Sequence, residues 1–194
     1  MRPAYVETMK RVVVDHHFGG PEVLRVVEDR PDRTAAAAAI VAAALGLASA
    51  VMSAYWAVGG EGLLDTIGGD IERWGRERGA AVVVTLWFIV ALKIVVALAA
   101  PVLVEVRRNL LPAWTAAVVP RVLGWIAAAT LSIYGGVWTI VGLLVQTGAF
   151  DASGDVDSTA LAWHAYVWDP WFAVWGFAFV LALWRSRRRA TRPK

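Results

Sequence analysis

Four long apolar stretches separated by short polar segments dominate the chain, at residues 35–58, 80–104, 120–146 and 160–184. About 20 helical residues at ~1.5 Å rise cross a hydrocarbon core of ~30 Å, so each stretch can span a bilayer with some tilt. The pattern predicts an all-α membrane protein, a bundle of four transmembrane helices over residues 35–188. Residues 1–34 carry charges throughout and are expected to form a short β-hairpin or tail, and residues 189–194 a basic tail.

Within the third stretch Pro120 suits a first helical turn, and Gly124, Ala128, Ser132 and Gly136 recur every four residues along one face. Gly46, Ala50 and Ala54 make a similar row on the first stretch. Small residues let helix backbones approach closely, so these two helices are expected to pack together. Between the first two spans, Asp70 is expected to cap a short polar helix ending at Gly79. Glu72 and Arg76, and Arg73 and Glu77, stand at i, i+4 spacing within it.

Composition and charge sharpen this picture. A soluble core of 194 residues would not need 58% hydrophobic residues and a mean hydropathy of +0.55. The net charge of +3 does not indicate a nucleic-acid partner, because the basic residues gather at the chain ends and beside the apolar runs. Six Lys and Arg precede residue 35, three fall in 59–79, three in 105–121, none in 146–170, and six follow residue 184. The positive-inside rule then places both termini and the 105–121 loop in the cytoplasm, with the bundle in the bacterial inner membrane. Trp56, Trp163, Trp168 and Trp171 fall near the outer boundary and Trp114, Trp125 and Trp184 near the inner one, as interfacial belts require. The absence of cysteine excludes disulfides and thiolate chemistry. Asp151, Asp155 and Asp157 superficially resemble a calcium loop, but the glycine is misplaced and no glutamate closes it, so no metal is expected.

The candidate chemistry lies where lipid should be. Lys93 sits near the middle of the second span, and a charge there costs at least ~2.5 kcal/mol on insertion scales, so it is expected to face the bundle interior and a partner. Asp169, followed by Pro170, reads as the N-cap of a fourth helix that starts below the outer surface, and it is the expected partner of Lys93. Tyr55, Tyr134, His164 and Trp168 complete an expected polar cluster, a pocket open to the outside and lined with aromatics. A satisfied structural network is the alternative role for the same residues. No nucleophile, base and orienting group occur at a spacing that identifies a reaction, so no catalytic set or cofactor is expected and enzyme activity is the less favoured reading.

Two resemblances bear on the reading. Tyr55-Trp56 with Gly59-Gly60, a lysine in the second span, Tyr134-Gly135-Gly136, and Trp168-Asp169-Pro170-Trp171 with Trp175-Gly176 together resemble a family of uncharacterised bacterial four-span membrane proteins over residues 35–188. That resemblance implies a fold and a topology but no activity. Residues 11–33, RVVVDHHFGGPEVLRVVEDRPDR, resemble the opening of the medium-chain quinone oxidoreductases, where a strand, a turn and a second strand begin the catalytic domain. No dinucleotide-binding glycine fingerprint follows, so no NADPH chemistry carries over, and Asp15, His16 and His17 are expected to be solvated.

Three functions fit the sequence. The leading one is a binding or accessory protein that holds a lipid-like or small amphipathic ligand. The others are proton- or ion-coupled transport by a homo-oligomer, and a quinone-linked membrane oxidoreductase or its membrane-protein partner.

Overall fold

The computed structural model describes residues 11–13, 25–27, 32–104, 118–150 and 157–190. The chain divides into two units, Met1–Pro31 and Asp32–Lys194. In the first, β1 (Arg11–Val13) pairs antiparallel with β2 (Arg25–Val27), with Val12 opposite Val26. The β-branched valines suit this extended pairing. The rest of that unit, Asp15, His16 and His17 among it, lies outside the described residues.

The second unit is helical. Its elements are α1 (Arg33–Ala57), a 3₁₀ turn at Leu64–Thr66, α2 (Gly69–Glu77), α3 (Ala80–Leu103), α4 (Val118–Gln146), α5 (Ser158–Trp163) and α6 (Asp169–Ala190). Asp32 starts α1 by accepting from the Thr34 and Ala35 amides at 2.9 and 3.3 Å, which satisfies two amides that the helix cannot. Four helices among the described residues are long and apolar enough to cross a membrane: Arg33–Ala57, Ala80–Leu103, Val118–Gln146 and Ser158–Arg187. Their outward faces carry large apolar side chains such as Val51, Val84, Phe88, Val95, Ile133 and Ile140. In water that surface would be a liability, and in hydrocarbon it is the required one.

Helix α6 is central and packs against both α1 and α4, while α1 also packs against α3. The largest fully buried side chains, Trp175, Phe179 and Leu183, all belong to it. Around them the core is mostly alanine: Ala39, Ala42, Ala97, Ala100 and Ala128. With no hydrophobic drive between helices in lipid, such residues stabilise by letting backbones meet.

That geometry corrects the expected pairing of the small-residue rows. The α4 row faces α6 instead of α1, and it runs Gly124, Ala128, Ser132 and then Gly135, not Gly136. An i+4 step overshoots a 3.6-residue turn by about 40°, so a straight interface must return by i+3 after a few steps. A methyl group on Gly135 would meet the backbone of Ala173 and come 2.6 Å from the Asp169 carbonyl oxygen, whereas one on Gly136 would meet nothing within 4 Å. Gly46 of α1 instead admits Trp175 of α6 and Ala97 of α3.

The fourth span also differs from expectation. Asp169 is not an N-cap, because the backbone stays helical from residue 158 to residue 190. Between α5 and α6, residues His164–Trp168 form a π turn, closed by the Asp169 amide donating to the His164 carbonyl. Pro170 has no N–H to give and its ring would collide with the Tyr166 carbonyl in a regular helix. One wide turn just ahead of it absorbs both defects without breaking the span.

The connector differs in one detail. Gly68, at φ 69°, precedes α2, and Asp70 lies in its first turn, paired with Arg73 at 2.8 Å. The left-handed φ favours glycine over aspartate at the cap. The Glu72–Arg76 and Arg73–Glu77 pairs form as expected, at 2.8 and 3.9 Å.

Candidate functional site

The π turn creates the site. In an α-helix residues five apart point about 140° away from each other, but the wider turn brings His164 round to face Asp169. His164 Nδ1 lies 3.3 and 3.4 Å from the two Asp169 carboxylate oxygens, and Nε2 lies 3.3 Å from the Ile67 carbonyl oxygen in the connector. Both ring nitrogens therefore face acceptors, and each contact is a hydrogen bond only when that nitrogen carries its proton. The Asp169 side chain is 4% exposed and His164 34%. Asp169 lies roughly 5 Å along the axis from the middle of the Ser158–Arg187 span.

Beside this pair is a cavity of about 440 Å³, bounded by Tyr134 and Trp138 of α4, by Asp157, His164 and Asp169 of the fourth span, and by the Ile67–Gly69 backbone. Asp157 reaches it as the cap of α5, its Oδ1 accepting from the Thr159 and Ala160 amides at 2.9 and 3.1 Å. The Oδ2 oxygen faces Gly68, 3.5 Å from where a Cβ would stand. Gly142 lets Ala165 approach α4 closely at the floor of the site.

Of the six residues expected to cluster, His164, Asp169 and Tyr134 come together here. The other three are elsewhere. Lys93 does not pair with Asp169. Its Nζ donates to Ser53 Oγ at 2.8 Å and to the Ser49 carbonyl at 3.5 Å, both on α1, and lies 5.4 Å from the centroid of the Phe172 ring. The expected pair fails because the wide turn directs Asp169 toward α4, while α3 delivers Lys93 against α1. Phe172, packed edge-on to Tyr134 at 5.9 Å, links the two regions through rings instead of charges.

Tyr55 and Trp168 hold the connector. The Tyr55 hydroxyl accepts from the Gly62 amide at 3.2 Å, with its ring packed on Gly60. Trp168 Nε1 donates to Thr66 Oγ1 at 3.1 Å, and its ring meets Trp56 edge-on at 5.9 Å. These contacts position the loop that carries Ile67 to His164. Sequence reasoning missed Asp157 and Trp138 as cavity residues and Ser53 as the partner of Lys93. The signal for Asp157 was present in Asp-Ser-Thr ahead of an apolar run, a helix-start signature. Asp151 and Asp155, its companions in the calcium-like spacing, lie outside the described residues.

Residues 46–179 match the family described as protein of unknown function, DUF3995. The match takes in every cavity residue and leaves residues 11–33 outside, and none of the comparisons supports the oxidoreductase resemblance of that segment. No curated protein and no solved structure matches the chain.

Proposed function

The chain belongs to the DUF3995 family, and from that premise we propose that it is an inner-membrane protein that holds a small amphipathic, lipid-like ligand in the cavity beside the His164–Asp169 pair. The observation that carries this reading is a carboxylate, almost wholly buried near the middle of a membrane span, that borders a cavity of about 440 Å³ walled by Tyr134 and Trp138. Ligand sites are commonly ~300–1,000 Å³, mostly apolar, with a few convergent polar groups.

The lysine and arginine distribution supports a topology with both termini in the cytoplasm, which puts the cavity at the outer end of the bundle. The absence of native cysteine makes that placement easy to check. Glu77→Cys, at an exposed position outside the cavity, is expected to react with a membrane-impermeant maleimide in intact cells, and Arg187→Cys only after lysis. The opposite labelling would reverse the topology.

Native mass spectra of protein released from a mild detergent test the ligand. A defined extra mass is expected on the wild type and on Lys93→Met, whose side chain lies outside the cavity, and its loss is expected in Asp169→Asn. Equal retention in all three, or no bound mass in any, would return the pair to a structural role.

A further inference from the structure

The cavity's chemistry is one-sided. Among the described residues its boundary holds two carboxylates, Asp157 and Asp169, and two electron-rich rings, Tyr134 and Trp138, but neither lysine nor arginine. His164 offsets one charge at most. With both carboxylates ionised, the formal charge is −1 beside an imidazolium and −2 beside an imidazole. Neither carboxylate is saturated. Asp169, whose side chain is 4% exposed, shares one ring nitrogen between both oxygens, although a carboxylate offers about four acceptor positions. Asp157, an exposed residue at the cavity rim, spends Oδ1 on the α5 amides and has Oδ2 turned toward Gly68.

We infer that the polar end of the ligand is an ammonium group, the head of an amphipathic amine. This rests on the ligand-binding reading above and adds the class of headgroup to it. A primary ammonium brings three N–H donors and no acceptor, which suits the open lone pairs of Asp157 and Asp169. Tyr134 and Trp138, about half exposed at the cavity, offer ring quadrupoles that attract a cation. An anionic head, phosphate or carboxylate, would meet like charge, with no arginine or lysine among the described residues of the boundary to clamp it. A neutral hydroxyl head brings a single donor and no charge to offset the two carboxylates. Two sources supply such a head, the ethanolamine group of a phospholipid and a free long-chain amine.

The test titrates full-length protein in maltoside detergent with decylammonium, decyl phosphate and decanol, read by native mass spectrometry. Decylammonium is expected to bind the wild type at least about tenfold more tightly than either chain-matched probe. Asp157→Asn is expected to weaken it about tenfold while leaving the fold intact, since asparagine caps a helix as well as aspartate. Asp169→Asn should act in the same direction. Phosphatidylethanolamine carried over from lipid nanodiscs in preference to phosphatidylglycerol would identify the lipid as the source, and decylammonium binding without that carry-over the free amine. Equal binding of the three probes, unchanged in Asp157→Asn, would overturn the headgroup assignment but leave the cavity a ligand site. No binding of any amphiphile would overturn both.

Discussion

Gly135→Ala destabilises the bundle by about 1–3 kcal/mol, while Gly136→Ala, one residue further on, leaves it unchanged or up to about 1 kcal/mol more stable. The contrast follows from where α4 meets α6. At Gly135 an added methyl group runs into the main chain of Ala173 and the Asp169 carbonyl, and backbone cannot step aside as a flexible side chain can. At Gly136 the methyl enters open space, and the helix gains the better propensity of alanine. Because Asp169 is itself part of the contact, Gly135→Ala should also displace the carboxylate and weaken ligand retention. Denaturation midpoints of the two variants in the same detergent decide the matter. Equal effects at both positions would mean that α4 is rotated from the orientation described.

The second large effect is a difference in coupling. His164 Nδ1 lies within hydrogen-bond reach of the buried Asp169 carboxylate, so a cycle with His164→Ala and Asp169→Asn should show an interaction energy of about 0.5–3 kcal/mol. Lys93 and Asp169 share no partner, so Lys93→Met combined with Asp169→Asn should be additive within about 0.5 kcal/mol. Lys93→Met alone is expected to be near neutral, because it removes a charge from an apolar setting and keeps the length of the side chain. Ser53→Ala should be worse than Lys93→Met, by roughly 1–3 kcal/mol, since it takes away the 2.8 Å acceptor and leaves the amine in place. Strong coupling between Lys93 and Asp169 would restore the ion pair that the sequence suggested.

What could be read from the chain, and what could not, divides along physical lines. The four spans were legible because the bilayer demands ~20 apolar residues and internally bonded backbone wherever a chain crosses it. The identity of Asp169, His164 and Tyr134 as special was legible for the same reason, since polar groups at that depth must be satisfied. Their mutual geometry was not. A regular helical projection separates His164 from Asp169, and the π turn ahead of Pro170 reunites them. The dipeptide Asp169-Pro170 has two solutions, a capped helix start or a widened turn, and composition does not choose between them. Lys93 was assigned to the nearest carboxylate, but a lysine in a bundle can also be met by a serine hydroxyl, a helix carbonyl and a ring face, which is how α1 and Phe172 meet it. The small-residue row was seen, but its drift relative to 3.6 residues per turn moved the contact from Gly136 to Gly135.

Photolabelling would show where an occupant of the cavity sits. A long-chain amphiphile bearing a diazirine beside its polar end would be activated on the full-length protein in detergent and the labelled peptides sequenced. Labelling concentrated on Tyr134, Trp138 and residues 160–169, and lost in Asp169→Asn, is the predicted result. Labels spread over lipid-facing positions such as Val84, Phe88 and Ile133, and indifferent to that substitution, would contradict it.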